Sequence, residues 1–378
     1  MMGEAILIVW SVAGLAWWLI ALYLVATHHQ ASSVESSQTE SLSIFKPLPV
    51  LGAKGLKVEA AGLESFLAQM DENTELLLGA HETDRVAVTA FVESMKQKYS
   101  TTRLQIIFRI SNEDEGNPKI AWQKILAPHA TGDLWLWSDA DIVAPPDFLR
   151  RALAEFSQGK ARLLTFPYAV SRIPASPALF DALFVNVEFL PGVLLLRRFG
   201  SVDFGLGAAM LFRREDFLRV TDWERLERSL ADDFVLGQLL QPVCIGSVIL
   251  TTAPEAGNWK TAIEHYLRWV KTIRWCRPSG YAAQIIILPT LGWLIFVCFH
   301  SASCWAWMGL VAMMQLDVFF AWMICCSAGC SLRLRHGLIL EIWSLFRALS
   351  WLICWLPFPV FWRTKSWWSP QLKLESTS

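Results

Sequence analysis

Two aspartates follow an apolar stretch in the middle of the chain. Residues 133–138 (DLWLWS) have the pattern of a buried strand, and Asp139 and Asp141 come next with one small residue between them. Carboxylates with this spacing can reach one centre once the backbone turns, and their oxygens are ligands that Mg²⁺ or Mn²⁺ prefers. Such an ion neutralises charge on a departing diphosphate. The alternative is a helix start at 145–153 (PPDFLRRAL), with Asp141 or Asp147 as its cap.

Two more acidic groups could serve such a reaction. Asp232 and Asp233 open an apolar helical pattern, where one carboxylate can cap the helix while the other faces a cleft as a general base. A plain helix N-terminus is the alternative. The segment HETD (81–84) follows the strand-like residues 75–80, so Asp84 could accept hydrogen bonds from a nucleotide base or ribose. A solvated turn explains this second group equally well.

A basic amphipathic segment at 260–277 carries the last candidate group. On a helix, His265, Arg268 and Trp269 share one face at i, i+3 and i+4. Arginine suits diphosphate oxygens, and tryptophan can pack against a sugar or a lipid wall. The alternative is a helix that lies on an anionic membrane surface and has no catalytic part.

Alternating strand and helix patterns must position these groups. Because strands alternate with helices, the sequence predicts a parallel sheet covered on both faces, with its ligand site beyond the carboxyl ends of the strands. The predicted strands are 43–48, 75–80, 103–110, 133–138 and 162–168, and helical patterns fall near 60–70, 85–98 and 118–127.

The composition indicates a membrane protein. Hydrophobic residues make up 54% and charged residues 18% of the 378 residues, which is too apolar for a uniformly soluble chain. The net charge of −1 argues against a nucleic-acid partner. Residues 5–26 carry no charge and are long enough to cross a bilayer. They are expected to form a permanent anchor, the alternative being a cleaved signal peptide.

The apolar segments predict how the chain is organised. Spans near 281–300 and 303–325 form a hairpin, and the basic link 331–336 places the soluble part in the cytosol. Residues 338–362 fit an interfacial or re-entrant piece better than a simple span, and 178–200 is either a bilayer-lying segment or a buried helix. The expected divisions are an anchor at 1–27, a linker at 28–42, a catalytic domain at 43–259, an interfacial helix at 260–280, a membrane region at 281–362 and a tail at 363–378.

Taken in order, these elements resemble the ceramide glucosyltransferase-like branch (family 21, family 2-type) of inverting GT-A glycosyltransferases. That branch includes the hopanoid-biosynthesis-associated glycosyltransferases of bacteria. The motifs that carry the resemblance cover nearly the whole chain. They are FKPL (45–48), NPK (117–119), SDADIVAPPDFLRR (138–151), LGAAMLFRRED (206–216), ADDF (231–234), HYLRW (265–269) and WRTKSWW (362–368).

The resemblance implies a role for each acidic group. Asp84 would contact the nucleotide, and Asp139 with Asp141 would hold the metal and the diphosphate. Asp233 would be the general base. Lys119 would lie near the donor phosphates.

Two features depart from the family pattern. The Gln/Arg-x-x-Arg-Trp signature has His265 at its first position, followed by Arg268 and Trp269. The stretch FLPG (189–192) lacks the histidine that precedes the proline in animal ceramide glucosyltransferases, which favours the bacterial branch.

The resemblance also implies a fold and an activity. The fold would be α/β, a GT-A domain with a Rossmann-like mixed sheet between N-terminal and C-terminal transmembrane helices. The enzyme would transfer a glucose-type hexose from a UDP-sugar to a membrane lipid hydroxyl of the ceramide or hopanoid type, with Mg²⁺ or Mn²⁺. It would be an integral protein of the bacterial inner membrane with a cytosolic catalytic domain. The alternatives are a hopanoid N-acetylglucosaminyl or hexosyl transferase, a processive polysaccharide synthase and an inactive membrane scaffold.

Overall fold

The computed structural model describes residues 2–28, 40–51, 56, 59–99, 103–110, 116–173, 175–220, 222–254, 257–362 and 365–370. The linker expected at 28–42 lies mostly, and the tail at 363–378 partly, outside the described residues. The chain divides into two compact units. We call them the sheet unit, within 29–168 and 196–253, and the helical unit, within 1–28, 169–195 and 254–370.

The elements alternate in the first two-thirds of the chain and become helical after it. The strands are β1 (Leu42–Pro47), β2 (Thr74–His81), β3 (Leu104–Arg109), β4 (Leu134–Ser138), β5 (Leu163–Thr165), β6 (Tyr168–Val170), β7 (Ala209–Arg213), β8 (Val243–Ile245), β9 (Leu250–Thr252), β10 (Val360–Trp362) and β11 (Lys365–Trp367). The helices are α1 (Met2–Ala26), α2 (Glu59–Leu67), α3 (Arg85–Tyr99), α4 (Pro118–Leu126), α5 (Phe148–Phe156), α6 (Ala178–Leu183), α7 (Leu190–Arg198), α8 (Arg214–Val220), α9 (Trp223–Glu227), α10 (Asp232–Leu239), α11 (Trp259–Cys276), α12 (Pro278–Ala283), α13 (Pro289–Phe299), α14 (Cys304–Ser327) and α15 (Gly337–Ile353).

A seven-stranded sheet forms the centre of the sheet unit, in the order β3-β2-β1-β4-β7-β5-β8. Strands β3, β2, β1 and β4 are parallel, as the alternating pattern predicts. Strand β7, which was not among the predicted strands, runs antiparallel to both β4 and β5, so the sheet is mixed while the five predicted strands share one direction. Hydrophobic pattern identifies a strand but does not give its direction, which depends on the connection before it. The α/β class and the mixed sheet implied by the resemblance are confirmed.

Both faces of this sheet are buried, which explains its nearly continuous apolar strands. Ile44 and Leu136 belong to one core cluster, and their neighbours Phe45 and Trp137 belong to the other. Side chains alternate across a strand, so successive residues of β1 and β4 supply the two cores. This packing fixes the carboxyl ends of β1, β2 and β4 at one edge of the sheet.

The helical unit contains the helices that could cross a membrane. Among the described residues, four helices are long and apolar enough to do so: Gly3–Ala26, Ala178–Arg198, Cys304–Ser327 and Leu334–Ile353. The helix Cys304–Ser327 nearly coincides with the span expected near 303–325. The second is one continuous helical run through α6, a π-helical turn (Phe184–Phe189) and α7, and most of its side chains are buried.

Two apolar segments of the helical unit have shapes that the sequence pattern does not specify. Residues 278–299, around the span expected near 281–300, form two helical pieces bent by 69° at a break before Pro289. The ambiguous stretch 338–362 forms α15 and then β10, which pairs with β11 as an antiparallel hairpin.

One carboxylate links four of these helices. Asp317 on α14 is 1% exposed and accepts hydrogen bonds from Trp18 Nε1 on α1 at 2.9 Å, Thr290 Oγ1 on α13 at 2.7 Å and Ser344 Oγ on α15 at 2.7 Å. Because buried donors need partners in an apolar environment, this carboxylate stabilises the packing of all four helices.

Candidate active site

The carboxyl end of β4 leads directly into the acidic turn predicted from the sequence. The backbone N–H of Asp139 donates to the carbonyl of Ala208, beside the neighbouring strand β7, at 3.1 Å. Its carboxylate Oδ1 lies 2.7 Å from the Nζ atom of Lys119, and 41% of the Asp139 side chain is exposed. The Asp139 carboxylate is therefore paired with Lys119 and still partly accessible from outside the protein.

The start of α4 places Lys119. Asn117 caps this helix, since its side chain accepts hydrogen bonds from the N–H groups of Lys119 and Ile120, and Pro118 occupies the first helical position. The Lys119 ammonium also donates to the carbonyl of Gly207 at 2.7 Å. The NPK motif thus fixes a buried cation against the acidic turn.

Asp233 lies next to the same glycine. Its Oδ2 accepts a hydrogen bond from the N–H of Gly207 at 2.9 Å, and its Oδ1 accepts one from the N–H of Phe234 at 2.8 Å. A Cβ atom at Gly207 would lie 3.2 Å from Asp233 Oδ2 and 3.3 Å from Lys119 Nζ, so this position favours glycine. The structure therefore brings Lys119, Asp139 and Asp233 together.

Asp232 joins this group from the other side. Its Oδ1 accepts a hydrogen bond from Asn117 Nδ2 at 3.0 Å, and the carboxylate is buried. Both aspartates lie in the first turn of α10, but the cap is Ala231, without a side-chain hydrogen bond, so the expectation that one of them caps the helix is wrong. We call Lys119, Asp139, Asp232 and Asp233 the carboxylate–lysine group.

Burial and mutual charge set the ionisation of this group. Burial raises the pKa of Asp233, and it raises the pKa of Asp232 to about 6, although Lys119 works against both shifts. Burial alone would lower the pKa of Lys119, but Asp139, Asp232 and Asp233 together raise it above its ordinary value. Lys119 is therefore a permanent cation beside carboxyl groups that take up protons more readily than usual.

A buried lysine beneath the acidic turn was not assigned a role from the sequence. Lys46, from the FKPL motif, donates to the carbonyls of Asp139 at 2.7 Å and Ile142 at 3.2 Å. Burial lowers its pKa to about 7, while Asp141 and Asp139 oppose that shift. The sequence did contain a signal for this role, a lysine inside an otherwise apolar strand. A lysine is rarely buried without a specific partner, so its position indicates a functional or structural contact.

Asp141 completes the acidic turn, and its carboxylate accepts a hydrogen bond from the hydroxyl of Thr252. Across the described parts of the chain, no three His, Cys, Asp or Glu side chains are grouped as a metal site. Mg²⁺ commonly binds through one or two carboxylates and completes its shell with water and substrate phosphates. Asp139 and Asp141, both partly exposed, fit an ion held in that way.

Asp84 follows β2 in a short 3₁₀ turn and is buried. Its Oδ2 accepts a hydrogen bond from the N–H of Leu51, in the segment after β1, at 2.9 Å. Within the described ranges, no hydrogen bond or ion pair joins it to Lys119 or Asp139. Its expected contact with the nucleotide stays a prediction.

The HxxRW residues lie on α11, in the helical unit. His265 Nδ1 is 3.1 Å from Asp181 Oδ1, and the His265 ring lies 3.9 Å from the ring of Trp269. The Arg268 guanidinium is 5.7 Å from the Trp362 ring. His265 and Trp269 thus form one cluster at helical spacing, and the Asp181 partner was not predicted from the sequence.

Fold and site together define a class: an α/β protein with a carboxylate-rich site at the edge of its sheet and a unit of bilayer-length apolar helices. Residues 6–373 match Glycosyl transferase family 21. The chain therefore belongs to Glycosyl transferase family 21 and is a glycosyltransferase. No curated protein sequence matches it.

Solved structures show distant likenesses. The mannosyltransferase PcManGT from Pyrobaculum calidifontis, in complex with GDP-Man and Mn²⁺, is 13% identical, covers 93% of this chain and 98% of its own, and has a TM-score of 0.48. GalNAc-T7 with UDP, GalNAc and Mn²⁺ is 13% identical over 65% of this chain and 50% of its own, with a TM-score of 0.44. S. aureus TarS 1-349 is 12% identical, covers 86% of this chain and 98% of its own, and has a TM-score of 0.40. The family assignment rests on the sequence match alone.

Proposed function

We propose that the protein transfers a glucose-type hexose from a UDP-sugar to the hydroxyl group of a membrane lipid, with inversion at the anomeric carbon. The observation that carries this proposal is the partly buried Asp233 carboxylate, oriented by the N–H groups of Gly207 and Phe234 beside the Lys119–Asp139 pair. A fixed carboxylate with a raised pKa is suited to act as a general base.

In this reaction Asp233 takes the proton of the acceptor hydroxyl. The hydroxyl oxygen attacks the anomeric carbon from the side opposite to the UDP group, and the bond from that carbon to the diphosphate oxygen breaks. Lys119 stabilises the negative charge that develops on the diphosphate. When bound, Mg²⁺ or Mn²⁺ held by Asp139 and Asp141 neutralises the same charge.

The remaining predicted residues bind the donor or the acceptor. Asp84, at the end of β2, contacts the nucleotide, and Arg268 and Trp269 hold the diphosphate or the acceptor. The protein is integral to the bacterial inner membrane, with the sheet unit in the cytosol where nucleotide sugars are made. The bilayer-length helices and the basic link at 331–336 support this arrangement.

Lipid mass spectrometry of cells that express the protein tests this function. The wild type should produce a lipid whose mass is increased by one hexose, and Asp233→Asn should lose it while UDP titration shows nearly unchanged donor binding. Asp222→Asn is the matched control, because the exposed Asp222 caps helix α9 and asparagine caps equally well. Product formation by Asp233→Asn at the wild-type rate would refute the base assignment, and an increase of one N-acetylhexosamine would favour the alternative donor.

A further inference from the structure

Lys46 lies beneath the acidic turn, residues 139–142, and its side chain is fully buried. Its Nζ atom donates to the carbonyl of Asp139 at 2.7 Å and to the carbonyl of Ile142 at 3.2 Å. These residues are the first and the last of the turn, and the N–H of Ile142 also donates to the carbonyl of Asp139 at 3.3 Å. One side chain of β1 therefore holds both ends of the turn.

Helix α2 approaches the same turn through a glycine. A Cβ atom at Gly62 would clash with the carbonyl oxygen of Ala140 and would lie 2.9 Å from that of Ile142. One turn further along the helix, the Phe66 ring packs against the end of Lys46, with its centroid 4.0 Å from Nζ. Because Gly62 has no side chain, the helix backbone can lie directly against the turn, next to the lysine.

Two more residues of α2 hold the segment that follows the turn. Ser65 Oγ accepts a hydrogen bond from the N–H of Ala144 at 3.0 Å. Gln69 donates through Nε2 to the carbonyl of Pro145 at 3.0 Å and accepts through Oε1 from the N–H of Leu149 at 3.1 Å. These contacts lie on one helix face, at i, i+3, i+4 and i+7. We call this face together with the lysine the turn support: Lys46, Gly62, Ser65, Phe66 and Gln69.

The contacts of Lys46 show how it can influence the site. Its ammonium group bonds to main-chain carbonyls, and full burial keeps it from touching a substrate. An apolar residue in its place would leave the carbonyls of Asp139 and Ile142 with fewer donors, which is costly in a buried environment. Lys46 therefore acts on the carboxylates of the turn through the position of the backbone or through its own charge.

We propose that Lys46 is a positioning residue for metal binding: by bonding to both ends of the acidic turn, it holds the backbone that carries Asp139 and Asp141. Gly62 fixes the same turn from the side of α2. This role rests on the divalent metal of the proposed function, and it determines how tightly the chain holds that ion. Partners that orient metal ligands in this way typically contribute about 10- to 100-fold to metal affinity.

The sign of a change in metal affinity separates positioning from a purely electrostatic role. A positive charge near a cation site weakens metal binding, because like charges repel. Lys46→Met removes the charge and both hydrogen bonds but keeps an unbranched side chain. If the charge dominated, this variant would bind Mn²⁺ more tightly than the wild type. If positioning dominates, the variant binds Mn²⁺ more weakly.

Electron paramagnetic resonance of free Mn²⁺ measures this affinity on the detergent-purified full chain, with Mn²⁺ added alone. Asp139→Asn defines the signal of a protein that lacks the site. We expect Lys46→Met to raise the Kd for Mn²⁺ about tenfold. Gly62→Ala should raise it severalfold without any change in charge, because the added Cβ displaces the turn. An equal or lower Kd in Lys46→Met overturns the proposal, as does a wild type that binds no more Mn²⁺ than Asp139→Asn.

Ser43→Ala separates positioning from a general loss of stability. Ser43 is buried on the same strand, far from the turn, and donates to Glu75 Oε1 at 2.6 Å. This variant should have a lower melting temperature and the Kd of the wild type. If circular dichroism shows that Lys46→Met is unfolded, Lys46→Gln, which keeps N–H donors on a shorter chain, and Gly62→Ala decide the question. A wild-type Kd in both of them overturns the proposal.

Failure of the positioning role and failure of the enzymatic proposal give different results. Weaker Mn²⁺ binding by Lys46→Met, in a protein whose wild type transfers no hexose from UDP-sugars, refutes the proposed function and leaves the positioning role intact. Hexose transfer by the wild type, together with an unchanged Kd in a folded Lys46→Met variant, refutes the positioning role and leaves the function intact.

Discussion

The ammonium group of Lys119 lies 2.7 Å from the Oδ1 atom of Asp139 and joins the start of α4 to the carboxyl end of β4. The lysine is also surrounded by Asp232 and Asp233, so carboxylates outnumber cations in the carboxylate–lysine group. An anionic diphosphate would be repelled by this excess unless another cation accompanied it. The charge balance therefore supports a divalent metal at the exposed side of Asp139.

Removing the charge of Lys119 should impair the reaction more than the fold. In Lys119→Gln, the three neighbouring carboxylates lose their compensating cation and the developing charge on the diphosphate loses a partner. We expect transfer to fall by about two orders of magnitude, as when other electrostatic partners of a transition state are removed. Initial rates measured with a saturating UDP-sugar test this.

Lys124→Gln is the matched control for this change, because Lys124 lies on the same helix, is half exposed and pairs with Glu227. Its rate should stay within about twofold of the wild type, since exposed ion pairs contribute little. Equal rates for both lysine variants would remove Lys119 from the catalytic machinery.

The rate should depend on pH through Asp232 and Asp233. Burial raises the pKa of Asp233 and brings that of Asp232 to about 6. A base acts only when deprotonated, so transfer should be full above the raised pKa and should fall as the pH drops through it. We expect the acid limb of kcat/KM to lie above the ordinary aspartate value of about 4, because the base is Asp233 and its pKa is raised.

A pH profile with circular dichroism recorded at each pH separates this titration from acid unfolding. The secondary structure should be unchanged across the limb. A rate that stays constant down to about pH 4.5, close to the ordinary aspartate range, would contradict a base with a raised pKa.

The sequence was sufficient for some parts of the site and not for others. Strand ends are visible as apolar runs, so Asp139 and Asp141 could be placed beyond β4 and Asp84 beyond β2. The contact of Lys46 with the Asp139 carbonyl spans 93 residues, and no local pattern encodes such a tertiary approach. The antiparallel direction of β7, which brings Gly207 to the site, is also set by packing rather than by periodicity.

Gly207 should be intolerant of any side chain. Its N–H binds Asp233 and its carbonyl binds Lys119. A Cβ atom would lie 3.2 Å from Asp233 Oδ2 and 3.3 Å from Lys119 Nζ, so Gly207→Ala must displace one of these groups by a few tenths of an ångström. We expect transfer to fall about tenfold, because small misplacements of reacting groups are costly, with little change in melting temperature.

Gly257→Ala serves as its control, since a Cβ at Gly257 meets no atom within 4 Å. This variant should keep the wild-type rate. If Gly207→Ala also kept the wild-type rate, the close approach of Asp233 and Lys119 to this backbone would have no catalytic importance.

Asp317 should contribute strongly to the stability of the helical unit, because it accepts hydrogen bonds from three other helices. Asp317→Leu leaves the donors of Trp18, Thr290 and Ser344 without their acceptor. Hydrogen bonds between membrane helices average about 0.6 kcal/mol each, so the loss should be about 2 kcal/mol or more. Unfolding of the detergent-purified protein by increasing fractions of SDS measures this free energy.

Ser11→Ala gives the scale for that measurement, because it removes one neutral hydrogen bond between helices, from Trp293 Nε1 to Ser11 Oγ at 2.9 Å. The other bond it removes, from Ser11 Oγ to the Leu7 carbonyl at 2.8 Å, lies within α1. Replacing a buried charge by a hydrophobic residue can stabilise a protein when its partners are replaced too. Here the three donors remain, and the apolar leucine cannot satisfy them, so the unfolding free energy must fall about threefold further for Asp317→Leu than for Ser11→Ala. Equal losses in the two variants would show that the three bonds to Asp317 contribute no more than one ordinary contact.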